Sequence, residues 1–357
     1  MKKAMIHAYT TLNLGDDLFI KVLTERYPNT KFYLYAPRTY KKVFSNQKNL
    51  KIIPSNSIFI KAINFSFRFF KKGFVLERYI KKSNVNIVIG GSLFMETDNW
   101  NNYYNHLRNL SKNNLYILGA NFGPYNSTDF YKKYYSLFSD AKDVCFRDSF
   151  SHSLYNEINH VRLASDIVFQ LKFPRDRKVQ KKSVLISIIK PSFRKDYTKD
   201  DDDFYYSQIR KIIELFISKD YKVKIFSFCS FEKDNEAIVE ILSEFPLNHR
   251  VEVINYEGDI SNALNEIAKS EIIIATRFHA MILGFLFNKF VLPITYSSKM
   301  NNFLDDINFK GYIYKLRDEI SIEQFLGNKI NNKINEKHLE ELVNDSRQFQ
   351  GLDKVLQ

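Results

Sequence analysis

An arginine and a histidine lie two positions apart in the segment 276–280, which reads TRFHA and follows the apolar run EIIIA. The guanidinium of Arg277 stays charged at physiological pH, whereas the imidazole of His279 has an ordinary pKa near neutrality. A helix is expected to begin at Phe278, and the amino-terminal end of a helix attracts anions. A histidine that only fills the core is the less favoured alternative, because the pair follows a strand. The segment therefore predicts a site that binds an anion and moves a proton.

Further cations and a glycine turn follow other strand-like runs. Arg147 comes after DVCF, and its guanidinium can hold a carboxylate or phosphate, or simply pair with Asp148 on the surface. Gly91 and Ser92 come after NIVI, where a glycine turn lets backbone N–H groups face an anion. Lys299, in the segment YSSK, can add a cation to the pocket of the TRFHA segment.

Two turns nearer the amino terminus carry a second group of polar residues. The motif NLGDD at 13–17 can bring Asn13 and the carboxylates of Asp16 and Asp17 to a hydroxyl group, which a carboxylate can bind or deprotonate. An ordinary strand–turn–helix junction with an N-cap has the same sequence signature, and this alternative stays open. Asn121 begins the turn NFGP after LYILGA, and by itself this motif indicates only a turn.

The sequence does not favour metal or serine-hydrolase chemistry. It has no HExxH, no paired CxxC and no GxSxG, which are the spacings typical of zinc sites and nucleophilic serines. Cys145 and Cys229 lie far apart in apolar runs and are expected to be reduced core residues. We expect no cofactor.

Short β-branched runs alternate with amphipathic stretches along the whole chain of 357 residues. This alternation predicts βαβ units and parallel sheets. We expect an α/β protein with two doubly wound parallel-sheet domains in tandem and a cleft between them. The predicted domains are 1–172 and 183–357, joined by a linker at 173–182. A terminal helix near the carboxyl end can pack back on the first domain.

The positive charge is confined to the beginning of the chain. Residues 1–82 hold 17 Lys and Arg against 4 Asp and Glu, which accounts for the whole net charge of +13. Such a surplus indicates an anionic partner or, equally well, a lysine-rich solvated surface. Neither a signal peptide nor an uncharged apolar run of spanning length is present, so a cytoplasmic location is expected.

The segment 57–82 combines apolar and basic residues in a helical pattern. The apolar residues can form one stripe along a helix, and the basic residues surround this stripe. The stripe can lie on an anionic membrane surface, as an interfacial helix does, or can pack on the first sheet as part of the core. Peripheral attachment to the inner face of the cell membrane is therefore one hypothesis. The residues of the stripe are Phe59, Ile63, Phe67, Phe70 and Phe74.

Taken in order, the motifs resemble those of the polysaccharide pyruvyl transferase family. The resemblance spans most of the chain and rests on seven segments: NLGDD (13–17), VIGGSLF (88–94), NFGP (121–124), RDSFS (147–151), ASDIVF (164–169), TRFHA (276–280) and YSSK (296–299). It implies a fold similar to GT-B glycosyltransferases, with phosphoenolpyruvate as the donor co-substrate and a sugar as the acceptor. The product would be a pyruvate ketal on a cell-surface polysaccharide or on its lipid-linked precursor, with the acceptor sugar carried on a polyprenyl lipid.

The resemblance also suggests a division of roles between the predicted domains, with 1–172 on the acceptor side and 183–357 on the donor side, and among the candidate residues. Acid–base catalysis falls to His279 and Asp16. Acceptor binding falls to Asn13, Asp17 and Asn121. Donor binding falls to a larger group of residues from both halves of the chain: Arg147, Arg277, Phe278, Lys299, Gly91 and Ser92.

Two other functions remain as alternatives. A GT-B glycosyltransferase that uses a nucleotide sugar often carries two glutamates eight positions apart, a spacing that Glu236 and Glu244 share. They lie in a charged helix without the expected glycine turn, so chance explains the spacing better. A non-catalytic nucleic-acid-binding protein would fit the basic first part, but no recognised binding motif is present and the arginine–histidine segment stays unexplained. We therefore expect no nucleic acid partner.

Overall fold

The computed structural model describes residues 1–58, 60–61, 74–174, 178–245 and 249–357. Within them the chain forms two compact units, each built around one parallel sheet. The first unit comprises Met1–Thr10, Asp16–Leu171 and Asn344–Gln357, and the second comprises Thr11–Gly15 and Lys172–Val343.

The first unit contains seven described strands, and its sheet has the order β3-β2-β1-β4-β5-β6-β7. Strands β4 and β5 are buried along their whole length, as expected for parallel strands that are covered on both faces. Their Val-, Ile- and Leu-rich sequences suit such positions because β-branched residues pack well on a pleated surface. The strands are β1 (Lys3–His7), β2 (Lys31–Ala36), β3 (Leu50–Pro54), β4 (Val85–Ile89), β5 (Leu115–Ala120), β6 (Asp143–Phe146) and β7 (Val161–Leu163).

Two helices of the first unit begin at side-chain caps. The hydroxyl of Ser127 accepts the N–H of Phe130, and the carboxylate of Asp148 accepts the N–H of Ser151, which satisfies donors that a helix start leaves without a partner. The described helices are α1 (Leu14–Arg26), α2 (Tyr40–Val43), α3 (Phe74–Lys82), α4 (Trp100–Ser111), α5 (Thr128–Asp140) and α6 (Ser149–Ser153).

The end of the chain returns to the first unit. The side chain of Gln348 is buried; its Oε1 accepts the N–H of Gly119 at 2.9 Å, and its Nε2 donates to the carbonyl of Ala164 at 2.8 Å. Arg26 on α1 forms an ion pair with Asp353 at 2.7 Å. These contacts attach the last segment to the middle of the sheet and to α1.

The second unit contains six described strands in the order β10-β9-β8-β11-β12-β13. They are β8 (Ser183–Ile188), β9 (Lys222–Ser227), β10 (Val251–Asn255), β11 (Ile272–Ala275), β12 (Phe290–Thr295) and β13 (Tyr314–Lys315). The helices that follow α6 in the chain are α7 (Lys199–Ser218), α8 (Asp234–Ser243), α9 (Ile260–Lys269), α10 (Phe278–Leu286), α11 (Ser298–Asp306), α12 (Ile322–Gly327), α13 (Glu336–Asp345) and α14 (Gln350–Leu356).

Each sheet reverses its strand order once, between β1 and β4 in the first unit and between β8 and β11 in the second. Chain connections leave such a point in opposite directions, so a crevice opens beyond the carboxyl ends of the two strands. Ligands of open α/β sheets bind there. The loops after β8, β9, β11 and β12 are therefore the places to look for a site in the second unit.

The motif at 13–17 is divided between the two units. Thr11–Gly15 belongs to the second unit, where the N–H of Leu14 donates to the carbonyl of Phe228 at 3.3 Å. The Nδ2 of Asn13 donates to Glu232 Oε1 at 3.4 Å. These two contacts explain why a short segment interrupts the first unit, an interruption that the predicted continuous domain 1–172 did not include.

Most of the predicted apolar stripe lies outside the described residues. Phe59, Ile63, Phe67 and Phe70 belong to that part, whereas Phe74 begins α3 and is partly exposed. Along the described ranges, no helix combines the length and the apolar character needed to cross a membrane.

Candidate functional site

The backbone at the end of β11 is fixed by a serine of the neighbouring strand β8. The hydroxyl of Ser187 accepts the N–H groups of Thr276 at 3.0 Å and of Arg277 at 3.1 Å. Arg277 is the N-cap residue of α10. The predicted anion-binding segment is thus held at the point where the strand order reverses, with its arginine at a helix start.

Arg277 is buried in an ion-pair network with two carboxylates. Its Nε donates to Asp234 Oδ2 at 3.0 Å, its Nη2 donates to Asp234 Oδ1, and its Nη1 donates to Glu232 Oε2 at 2.6 Å. Burial alone would lower the pKa of Arg277, but the charges of Asp234 and Glu232 raise it well above its ordinary value. The guanidinium therefore stays charged with three of its five N–H groups engaged.

Asp234 anchors this network to the loop after β9. Its carboxylate is fully buried at the start of α8, and its Oδ2 also accepts the N–H groups of Phe228 and Cys229, each at 3.0 Å. A buried carboxylate needs this number of donors, because an unsatisfied buried charge is costly. Asp234 thus joins the β9 loop to Arg277 after β11.

Glu232 lies between two arginines. Its Oε2 accepts from Arg277 and, at 2.7 Å, from Arg194 Nη2. Burial would raise the pKa of Glu232, but the charges of Arg277 and Arg194 outweigh burial and bring it to about 2. Glu232 is therefore ionised at neutral pH and occupies N–H groups of both cations.

Tyr296 stands among the cations of the same site. The guanidinium carbon of Arg194 lies 4.6 Å from the centroid of its ring, and the hydroxyl of Tyr197 donates to its carbonyl at 2.9 Å. Burial alone would raise the pKa of the Tyr296 phenol, but the charges of Lys299, Arg194 and Arg277 hold the pKa below its ordinary value. Lys299, in the first turn of α11, therefore contributes positive charge to this site.

His279 is packed against the backbone of the NLGDD motif. A Cβ atom at position 15 would overlap the Nδ1 atom of His279, so only glycine leaves room for the imidazole. The ring of Phe278 meets that of His279 edge-on, with centroids 5.2 Å apart, and Phe278 itself is buried against Phe303. Gly15 and Phe278 therefore fix the orientation of the imidazole.

Arg147 forms the centre of a separate cluster in the first unit. Its guanidinium is buried, donating to Asp166 Oδ2 at 2.8 Å and to Asn121 Oδ1 at 2.9 Å. A Cβ atom at position 91 would overlap its Nη2 atom, so Gly91 permits the close approach of the guanidinium to the backbone. The N–H of Asn121 donates to the carbonyl of Gly91 at 2.9 Å. Asp166 thus neutralises the arginine that the sequence predicted as a donor ligand.

The structure brings the predicted residues together in two groups. Arg277, Phe278, His279, Lys299 and Asn13 lie in the second unit. The first unit holds Arg147, Asn121 and Gly91 in direct contact. It also contains Ser92, the partly exposed Asp16 and the buried Asp17.

Sequence reasoning missed Glu232, Asp234, Arg194 and Ser187. The first three could have been found from the sequence, because each is a charged residue in a loop that follows a strand of the second sheet. Reading the loops after β8 and β9 as strictly as the loop after β11 would have found them.

The glutamates of the alternative function lie on the surface of the second unit. Glu236 lies within 3.4 Å of Lys190, and Glu244 within 3.0 Å of Arg210. Their side chains are 47% and 67% exposed. In the described ranges, no three or more His, Cys, Asp or Glu side chains are arranged to hold a metal ion.

Two doubly wound parallel sheets, each with charged residues beyond its carboxyl ends, define the GT-B-like class of fold. Solved structures agree. The UDP-GlcNAc 2-epimerase from Neisseria meningitidis, solved bound to UDP-GlcNAc, has a TM-score of 0.64 and 13% identity over 99% of this chain and 100% of its own. Anabaena HepE, solved in complex with UDP and glucose, has a TM-score of 0.61 and 8% identity, and the match covers 99% of this chain and 98% of HepE. S. aureus MnaA, solved with UDP, has a TM-score of 0.59 and 15% identity, and the match covers 99% of this chain and 95% of MnaA.

The family model of the polysaccharide pyruvyl transferases matches residues 13–298. The chain therefore belongs to the polysaccharide pyruvyl transferase family, which confirms the family predicted from the motifs. The GT-B-like fold predicted with it is confirmed as well. No curated protein matches this chain.

Proposed function

We propose that this protein transfers the pyruvyl group of phosphoenolpyruvate to a sugar of a surface polysaccharide and forms a ketal. The observation that carries the proposal is the cationic site around Arg277 and His279, at the strand-order reversal of the second unit. Membership of the pyruvyl transferase family supports the group transferred. The identity of the donor, the formation of a ketal and the form of the acceptor are proposed.

The charges of the site suit phosphoenolpyruvate. Three cations, Arg277, Arg194 and Lys299, face the two carboxylates Glu232 and Asp234, which leaves an excess of positive charge. Phosphoenolpyruvate carries a carboxylate and a phosphate, and charge-assisted hydrogen bonds to such groups are strongest in a partly buried site. Arginine forks match the geometry of both groups.

Ketal formation requires a proton at the methylene carbon of phosphoenolpyruvate, which makes C2 electrophilic. One sugar hydroxyl then adds to C2, and a second hydroxyl takes the place of the departing phosphate. The two sugar hydroxyls lose one proton each. One of these protons makes up for the proton added to the methylene carbon, which becomes the methyl group, and the other leaves with the phosphate. His279, whose ring is oriented by Gly15 and Phe278, suits these proton transfers because imidazole titrates near neutral pH.

Residues of the first unit are proposed to contribute to acceptor binding. Asn121, tied to Arg147 and to the backbone of Gly91, offers amide groups of the kind that bind sugar hydroxyls. Asp16 in the first turn of α1 is the candidate base for a hydroxyl, and Asp17 beside it is a further acceptor ligand. Asn13, which lies in the second unit, is also proposed to bind the acceptor. We also propose that the acceptor is carried on a polyprenyl lipid, so that the reaction takes place at the cytoplasmic leaflet.

A nucleotide-sugar glycosyltransferase is the competing function. The solved structures that contain UDP share less than 25% identity with this chain and therefore indicate the fold alone. The exposed ion pairs of Glu236 and Glu244 give no support to a nucleotide site at those two residues.

Titration calorimetry with phosphoenolpyruvate, and in parallel with UDP-glucose, tests the proposal directly. We expect phosphoenolpyruvate to bind, and Arg277→Ala to weaken binding by at least tenfold, about 1.5–3 kcal/mol for a lost charge-assisted bond. Arg250→Ala is the matched control, since Arg250 pairs with Asp220 at 2.5 Å next to the amino end of β10. Binding of UDP-glucose but not of phosphoenolpyruvate would contradict the proposal.

Turnover is tested by incubating the protein with phosphoenolpyruvate and candidate lipid-linked sugars and measuring the product mass. A pyruvyl mass increment together with equimolar phosphate release is expected, and His279→Ala should abolish both. Near wild-type turnover in His279→Ala would refute the catalytic role of this residue.

A further inference from the structure

Two exposed phenylalanines stand beside the charged site of the second unit. Phe193 ends the 3₁₀ helix Pro191–Phe193 after β8, and Phe231 lies in the 3₁₀ helix Ser230–Glu232 after β9. Because β8 and β9 are hydrogen-bonded neighbours in a parallel sheet, both loops lie at the same carboxyl edge. The two residues are 40% and 59% exposed, and exposed apolar side chains that are bordered by polar residues can mark a ligand-binding surface.

The two rings are continuous with the cation site. Their centroids are 6.4 Å apart and their planes make an angle of 75°. The guanidinium carbon of Arg194 lies 6.0 Å from the ring centroid of Phe193 and 4.6 Å from that of Tyr296. Each phenylalanine directly precedes a member of the ion-pair network, Arg194 or Glu232. A molecule that rests on the rings is therefore within reach of the charged groups.

We propose that Phe193 and Phe231 form a platform for a pyranose ring of the acceptor, in which one aromatic ring stacks on the face of the sugar and the other, at 75° to the first, contacts its edge. The platform inference rests on the proposed function, because a pyruvyl acceptor must come next to the donor site. A pyranose presents weakly positive C–H groups on its face, which the negative face of an aromatic ring attracts, and hydroxyl groups around its edge. The polar neighbours of the rings, Arg194 and Glu232, suit those hydroxyls.

The surroundings of the rings favour a sugar over a lipid chain. A polyprenyl chain requires a continuous apolar groove, whereas the residues that adjoin the two phenylalanines in the sequence are polar or charged: Ser192, Arg194, Ser230 and Glu232. A planar nucleotide base would also stack on an aromatic ring, so UDP is included as a competing ligand in the test.

Saturation-transfer NMR tests the platform with three probes, the methyl β-glycosides of galactose, glucose and N-acetylglucosamine. At least one glycoside should receive saturation on the C–H groups of one face. Phe193→Ala and Phe231→Ala should each weaken its binding about tenfold, the order expected for the loss of one aromatic contact. Their affinity for phosphoenolpyruvate should fall by less than their affinity for the glycoside. Val239→Ala, which removes a 69% exposed side chain from α8, should change neither.

A second variant separates stacking from simple burial. Phe231→Tyr keeps the aromatic face and should retain glycoside binding, whereas Phe231→Leu should lose it. Equal glycoside binding by wild type and alanine variants, or no saturation of any probe by the wild type, would overturn the platform. Binding of UDP that depends on the two rings would also overturn it, in favour of a nucleotide base. Failure of phosphoenolpyruvate to bind the wild type would instead refute the donor assignment, while a ring-dependent glycoside signal would still support the platform.

Discussion

At the residue scale, the contact between Gly15 and His279 joins two motifs that are more than 260 residues apart in the sequence. The imidazole lies where a Cβ atom of residue 15 would be. Glycine is needed at this position for space, since its side chain is only a hydrogen atom. The NLGDD motif thus helps to orient the proposed acid–base residue, in addition to any role of its carboxylates.

Gly15→Ala should displace His279 and reduce kcat about 100-fold, because a shift of about 1 Å in a catalytic group has an effect of that order. The affinity for phosphoenolpyruvate should change much less, since the cations around Arg277 are untouched. Steady-state kinetics together with calorimetry separate these two effects. Gly327→Ala is the control, as nothing lies within 4 Å of a Cβ atom there. Wild-type kcat in Gly15→Ala would show that the imidazole position is not critical.

Glu232 gives a second prediction at this scale, because its carboxylate occupies N–H groups of both Arg277 and Arg194. An anionic ligand must compete with this carboxylate. Glu232→Gln removes the negative charge while keeping the shape, so we expect phosphoenolpyruvate to bind about tenfold more tightly, equivalent to about 1.4 kcal/mol. Calorimetry at neutral pH measures the change.

The control for Glu232→Gln is Glu236→Gln, whose carboxylate pairs with Lys190 and Lys233 on the surface. It should leave the affinity unchanged. Weaker binding by Glu232→Gln would mean that Glu232 mainly positions the two arginines and does not compete with the ligand.

At the element scale, the start of α8 connects the loop after β9 to the loop after β11. Asp234 accepts backbone N–H groups of the first loop and pairs with Arg277 of the second. Its role is therefore to hold two loops in one arrangement, and to leave Arg277 at a fixed place beyond the strand ends. Ser187 performs a similar task for the backbone between β8 and β11.

Asp234→Ala should lower the free energy of unfolding by about 3–5 kcal/mol, because it leaves Arg277 buried with a lost partner and leaves backbone donors unsatisfied. Urea unfolding measures the change. Asp259→Ala removes an ordinary N-cap, in which the carboxylate accepts the N–H of Asn262 at 2.9 Å, and should lower it by only about 1 kcal/mol. Similar losses in the two variants would show that the Asp234 network is no more than a helix cap.

At the scale of the whole molecule, the positive charge of the first 82 residues is the feature that points to an anionic partner. The described residues of the segment 57–82 include exposed cations, among them Arg78, Lys81 and Lys82. They also include Ile58, which is 85% exposed. Exposed cations and apolar side chains of this kind suit an anionic membrane, where each cation adds roughly 1 kcal/mol of attraction.

We therefore expect the protein to sediment with phosphatidylglycerol vesicles and not with phosphatidylcholine vesicles. A triple variant, Arg68→Glu with Lys71→Glu and Lys72→Glu, should lose most of this binding because it reverses three charges of the segment. Higher salt should weaken the binding of the wild type as well. Equal and negligible sedimentation with both kinds of vesicle would end the membrane hypothesis.

The sequence by itself determined the element types, because local hydrophobic runs and turn residues decide them. The apolar runs KFYLYA (31–36), LKIIP (50–54), LYILGA (115–120) and FVLPIT (290–295) predict strands, and β2, β3, β5 and β12 begin and end at these residues. Two short strands were missed, β7 (Val161–Leu163) and β13 (Tyr314–Lys315). Two or three residues, some of them polar, are too few for a period-two pattern to stand out. The ordered motifs at strand ends were also enough to indicate the family, since each has a local sequence signature.

Only the tertiary structure decided which charges meet. Arg277 finds its partners 43 and 45 positions away in the sequence. Arg194 joins Glu232 from 38 positions away. These residues come together because β8, β9 and β11 are neighbours in the sheet, and the strand order is set by packing of the whole unit and not by local periodicity. The contact of Gly15 with His279 is likewise a tertiary contact, which no spacing in the sequence could have predicted.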